Sequence, residues 1–229
     1  MGKYIGFRRI VFLCLMMLAI SYNNIIFSQE PKVSLNALIM DVQKSTEDAN
    51  EIIMVWWLPE EFWVVALSRD PSITKNQIDM ITQTLKPYIL LIVVEGTVGN
   101  FGGVTYESEA TIRDHIEVVD VNGKTFVPIN QTKIDVDTKN LLSMMKPILA
   151  NMLGPMGQNM HFLLFPSRNI NKDLIADPTK KGMFNVNLSG RKFNWRLPLG
   201  SLLTQKFCIS CNEKLSGAFN FCPFCGSKL

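Results

Sequence analysis

Cysteine is missing from the long middle of this 229-residue chain. After Cys14 the next cysteine is Cys208, and four of the five lie between residues 208 and 225. No disulfide framework can staple the middle, so it must fold on burial alone. Histidine is scarce too: His115 and His161 are the only two, each stands alone, and no serine or cysteine motif accompanies either. That removes any locally readable nucleophile–base pair, and His161, opening an apolar strand, reads as a core histidine. The glycines at 96, 99, 102 and 103 follow a buried strand, but no Gly-Lys-Ser/Thr follows them. The spacing is neither a P-loop nor a dinucleotide fingerprint, and a hairpin turn is expected there. Neither sign of charge dominates. The chain has 23 basic and 20 acidic residues, and Lys3, Arg8 and Arg9 carry the whole excess. Without residues 1–28 the remainder is formally neutral, which argues against a nucleic-acid partner. Long apolar runs are also lacking. Residues 10–20 form the apolar run near the N-terminus, 11 residues against the roughly 20 that span a bilayer.

That short run has a basic flank before it and Ser28-Gln29-Glu30-Pro31 after it, the layout of a secretory signal peptide. Residues 1–28 are therefore expected to direct export, to the periplasm or the exterior, with cleavage near Ser28. The alternative is an uncleaved membrane anchor through residues 10–27. Cys14 lies inside the apolar run behind Leu13 and does not suit a lipoprotein cysteine. The terminal Ser227-Lys228-Leu229 spells a peroxisomal address, but Glu213-Lys214-Leu215 stands at the same offset of an internal repeat, in mid-chain. Asn130 and Asn187 begin glycosylation sequons, relevant only in a host that glycosylates exported proteins.

With 47% hydrophobic residues the chain is globular, and residues 29–205 are expected to form one α+β domain with a mostly antiparallel sheet and two or three helices. Residues 51–58 read as a β-branched, aromatic strand. Pro59 with Glu60 and Glu61 starts a short helix continuing to Leu67. Thr74 and Gln77 fit a capping box for a helix over 74–86, and Pro87 ends it. Residues 88–94 form a buried strand. Residues 111–121 read as a strand, Asn122-Gly123 as a hairpin turn and 124–129 as its return. Residues 138–153 make a methionine-rich helix containing Pro147, more often core than a binding surface. A short strand over 161–165 follows. Alternation at Phe184, Val186, Leu188 and at Phe193, Trp195, Leu197 marks a second hairpin about Ser189-Gly190.

The strongest signal is a nonapeptide written twice. Phe207-Cys208-Ile209-Ser210-Cys211-Asn212-Glu213-Lys214-Leu215 recurs as Phe221-Cys222-Pro223-Phe224-Cys225-Gly226-Ser227-Lys228-Leu229. Each C-x-x-C turn delivers two thiolates to one point, and two such turns supply the four soft ligands that zinc takes in a tetrahedron. Asn212 and Gly226 close the two turns, and both tolerate positive φ. Phe207, Leu215, Phe221, Leu229 and Phe224 are the candidates for a small core. A unit of this size cannot stabilise itself by burial, so a metal would supply its folding energy.

Residues 207–229 resemble the zinc-ribbon family, in particular short ribbons with F-C-P-x-C-G-x-K-L knuckles. The second copy matches well. In the first, Ile209 replaces the usual proline and Asn212 the usual glycine. The resemblance implies one structural zinc ion on Cys208, Cys211, Cys222 and Cys225, in a ribbon spanning residues 206–229, and contacts with a protein partner. It implies no reaction.

The expected whole is an exported, non-enzymatic binding protein. Two alternatives stay open. One is a thiol–disulfide protein using the C-x-x-C pairs. The other is an enzyme with its site near Glu60 and Glu61, beside Trp56, Trp57 and Trp63, with residues 99–103 as a flap. Against it, neighbouring residues at a helix start point apart.

Overall fold

The computed structural model describes residues 33–229. The expected export segment, its anchoring alternative and Cys14 lie outside the described residues. The class is α+β with antiparallel sheets. Six α-helices are present among the described residues, as short helices join the two or three that periodicity reveals. None of them is long and apolar enough to cross a membrane.

The centre of the domain is β3 (Tyr88–Val98), an 11-residue strand whose apolar run needs cover on both faces. It receives β2 (Glu51–Trp57) along one side. Along the other side lie β4 (Val104–Tyr106) and β7 (His161–Pro166), end to end. The edge strand β1 (Gln43–Ser45) pairs with β2, and every pairing is antiparallel. A second sheet, in the order β6-β5-β8-β9, contains β5 (Ile116–Val119), β6 (Thr125–Phe126), β8 (Gly182–Leu188) and β9 (Arg191–Leu197).

The period-2 geometry of strands sorts the side chains. Trp57, Leu91 and Leu163 are direct partners and share one face of the first sheet. That face meets the second sheet through rings: Trp57 lies 4.8 Å from Phe184 and 6.1 Å from Trp195. The Trp195 indole N–H donates to the Val42 carbonyl at 3.2 Å, which ties β9 to the end of α1 (Leu35–Val42). Trp56, on the opposite face, stands edge-on to Phe62 of α2 (Glu60–Leu67). The capping box of α3 (Lys75–Leu85) forms between Thr74 and Gln77 as expected.

Two expectations need correction. Residues 111–121 are not one strand. They divide into α4 (Glu109–His115) and β5. The Ser108 hydroxyl accepts the Thr111 N–H at 3.1 Å, Glu109 favours the first turn, and Ile112 is fully buried. A cap and a buried anchor thus outweigh β-branched propensity. The return strand after Asn122-Gly123 is also shorter than expected. The turn forms, with Gly123 at φ 80° and Asp120 accepting the Asn122 and Lys124 N–H groups. Beyond β6, however, the chain turns to the other sheet, where the Ile129 N–H donates to the Leu164 carbonyl at 2.7 Å.

The methionine-rich segment is α5 (Val136–Leu153), with Pro147 inside it and Leu141, Met145 and Leu149 in the core. Gly154, at φ 58°, ends α5, and Pro155 at once begins the one-turn α6 (Pro155–Gln158). The Ser189-Gly190 turn joins β8 and β9 with both residues at positive φ.

Candidate metal centre

The chain leaves β9 through Leu199, which is buried, and a 3₁₀ turn (Gly200–Leu202). The Asp41 carboxylate holds that turn by accepting the Ser201 N–H at 2.7 Å. Two short strands follow, β10 (Lys206–Phe207) and β11 (Lys214–Leu215). The repeat in sequence is a repeat in backbone. Phe207 faces Lys214 in the first copy, and Phe221 faces Lys228 in the second. The Cys208 N–H donates to the Glu213 carbonyl, and the Cys222 N–H to that of Ser227. The Asn212 N–H returns to Cys208, and the Gly226 N–H to Cys222. Asn212 and Gly226 sit at φ 58° and 74°, so both knuckles use the left-handed position their residue types allow.

These knuckles place all four sulfurs within 4.8 Å of one another. Across the knuckles Cys208 Sγ is 3.5 Å from Cys225 Sγ, and Cys211 Sγ is 3.6 Å from Cys222 Sγ. A metal–sulfur bond of about 2.3 Å in a tetrahedron requires sulfurs about 3.8 Å apart, whereas a disulfide requires about 2.05 Å. The four thiols are free and lie close enough together to hold a metal ion. No helix follows either pair among the described residues.

Proton affinity is unequal within the cluster. The Ser227 hydroxyl and backbone push the Cys225 thiol down to about 6. The Glu213 backbone favours the Cys211 thiolate, but desolvation and the neighbouring thiols outweigh it and push that group up to about 12. A metal that takes all four as thiolates must therefore release protons, and acid opposes it.

The small core differs from expectation. Leu215 is buried with Cys208 and Cys222, and Leu229 packs against them. The phenylalanines turn outward: Phe207, Phe221 and Phe224 are 66%, 62% and 71% exposed, and Ile209 is 97% exposed. The sulfur cluster fills the space that aromatic rings were expected to fill.

Glu60 and Glu61 do line a common cleft, with Asp177 and Trp63, of about 130 Å³. That is room for a few waters and less than the roughly 300 Å³ at which small-molecule sites begin. Residues 99–103 form the β3–β4 turn, closed by the Gly99 N–H to Gly103 carbonyl bond at 2.7 Å. This turn lies at the other end of β3 from Leu58, on the order of 30 Å away at the strand rise per residue. The proposed flap and the acid pair therefore do not meet. Of the three tryptophans, Trp57 and Trp63 line the cleft, whereas Trp56 points to the opposite face of β2 from Trp57 and, like Trp63, stands edge-on to Phe62.

Burial holds the Glu61 carboxyl above its ordinary value; its own backbone opposes this, and Glu60 and Asp177 add to it. A raised folded-state value means that the native state binds the proton more tightly than the unfolded chain. The resulting penalty is absent in acid and develops as pH rises through the carboxylate range. Glu61→Gln should therefore raise the melting temperature at pH 7 and leave it unchanged near about pH 3.5. Thermal melts at both pH values check this.

His161 is less isolated than the sequence implies. Its Nε2 is 3.3 Å from the Glu107 carbonyl, and its Nδ1 is 3.8 Å from Glu109 Oε2. Burial and then Lys146 hold it below the ordinary histidine value, against the Glu107 and Glu109 contacts. His115 only closes its own helix, on the Thr111 carbonyl. The grouping around His161 comes from β7, α4 and α5, and no spacing in the sequence announces it.

No known protein family, curated protein or solved structure matches the chain.

Proposed function

We propose that residues 206–229 are a zinc ribbon holding one structural zinc ion on Cys208, Cys211, Cys222 and Cys225, and that the ribbon attaches an exported, non-enzymatic protein to a protein partner. Four soft thiolates in tetrahedral spacing suit zinc, and a complete set of four protein ligands leaves no open position for a substrate. The sulfur spacing is the observation that carries the metal assignment. The outward Phe207, Ile209, Phe221 and Phe224 support the contact role, because a metal-fixed backbone presents them as rigid apolar anchors. Export would bring the thiols into an oxidising compartment, where zinc ligation would keep them from pairing. The redox alternative is disfavoured by the close approaches, which run between the two knuckles.

The test compares the intact chain, a chain ending at Gln205, and the triple variant Phe207→Ser, Phe221→Ser, Phe224→Ser, each recovered from cell fractions with its bound proteins. One protein held by the intact chain and lost from both altered chains is expected, with metal content unchanged in the triple variant. Identical sets from all three would refute the contact role, and recovery of the protein with the cytosol would refute export.

A further inference from the structure

The loop between the two knuckles lines a cleft. Ser216, Phe219 and their neighbours form one wall of a cleft of about 530 Å³, and the end of β9 with the edge strand β1 forms the other. The volume lies within the roughly 300–1,000 Å³ of small-molecule sites. Three cations line it: Lys44 from β1, Lys181 from just before β8, and Arg196 from β9. None of the three has a carboxylate within ion-pair distance among the described residues. The one acid in the lining, Asp41, already accepts the Ser201 N–H. Lys44 is half-buried, and Lys181 and Arg196 are exposed.

The wall is fixed before any ligand arrives. The Ser216 hydroxyl donates to the Gly200 carbonyl at 3.3 Å, and the Lys206 ammonium to the Phe219 carbonyl at 2.8 Å. A Cβ on Gly217 would fall 2.4 Å from the Thr204 carbonyl oxygen, so the loop fits here only because that residue is glycine. Leu203 and Phe219 give the cleft apolar surface beside the cations.

We propose that this cleft binds an organic anion of small-molecule size, with its charged group on Arg196, Lys181 and Lys44 and its apolar body against Leu203 and Phe219. Unpaired cations on concave low-dielectric walls concentrate positive potential, and a guanidinium grips a carboxylate or phosphate with two parallel N–H bonds. The site needs residues 216–220 in place. It does not need a particular metal, so it stands or falls separately from the zinc assignment.

Isothermal titration of the full-length, metal-loaded protein tests it with three probes: phenyl phosphate, phenylacetate and uncharged benzyl alcohol. One saturable site is expected for at least one anion, about tenfold or more tighter than for the alcohol. The preferred anion distinguishes a phosphate from a carboxylate ligand. Lys181→Ala with Arg196→Ala should weaken anion binding by about tenfold or more, with metal content and unfolding unchanged. If that pair perturbs folding, Lys181→Ala alone serves, since its side chain is exposed. Lys192→Ala, an exposed β9 cation outside the lining, should change nothing. Equal affinity for the neutral probe, no saturation by about 10 mM, or a charge-deleted variant that binds like the parent would overturn the proposal.

Discussion

Cys222→Ala should empty the metal centre and unfold residues 206–229 while leaving the rest of the domain folded. The reason is the size of the unit. Its buried apolar set is Leu215 with two cysteines, and Leu229 beside them. No burial on that scale offsets the conformational entropy of about 1–2 kcal/mol per ordered residue. Structural zinc in small peptides contributes on the order of 10–16 kcal/mol, and losing one of four ligands forfeits most of it. The ribbon core shares no residue with the main core around Trp57, Leu91, Val93 and Phe165. Metal per chain should therefore fall from one to near zero, and the slow amide exchange of Cys208, Asn212 and Gly226 should disappear. The strands β2, β3 and β7 should keep their protection. Retention of a full metal equivalent by Cys222→Ala would contradict the four-ligand assignment.

Trp195→Ala should be the most damaging single change in the α+β domain. Its ring is almost fully buried, 5.4 Å from Phe184 and 6.1 Å from Trp57, where the two sheets meet. Truncating a buried aromatic costs about 3–5 kcal/mol, the spread reflecting how far the cavity collapses. The Val42 carbonyl also loses its indole N–H partner, which adds a desolvation cost of about 1–3 kcal/mol if nothing replaces it. Set against total stabilities of about 5–15 kcal/mol, this brings the domain close to unfolding. Urea denaturation measures it. Asn194→Ala, one residue away on the solvent face of β9, should stay within about 0.5 kcal/mol of the parent. A loss below about 1 kcal/mol for Trp195→Ala would mean that the two sheets are not joined through this ring.

Patterns that are strictly local were legible in the sequence. The Thr74–Gln77 box, the Phe184-to-Leu188 and Phe193-to-Leu197 alternation, and the two knuckles each depend on residues a few positions apart, and each forms. What the sequence concealed depends on distant partners. Residues 111–115 alternate no less plausibly as strand than as helix, and the Ser108 cap together with the burial of Ile112 decides between them. Phe207 and Phe221 look like core residues until the sulfur cluster is seen to occupy the centre. The cleft cations Lys44, Lys181 and Arg196 come from three separate segments, brought together only by the packing of β1, β8 and β9 beside the ribbon loop. Glu60 and Glu61 show the reverse case: adjacent acids attract notice in a sequence, yet residues 99–103 lie at the far end of β3 from them.

The repeated nonapeptide poses a chemical conflict, because four reduced thiols are proposed in a protein that is also proposed to be exported. Zinc resolves it if the thiolates are ligated before or during export, since a coordinated thiolate is withheld from disulfide exchange. Native mass spectrometry of the full chain, purified without added metal or reductant, tests this most directly. The account predicts one zinc ion per chain and, after chelation, alkylation of all four of Cys208, Cys211, Cys222 and Cys225. Two disulfides with no bound metal would contradict it.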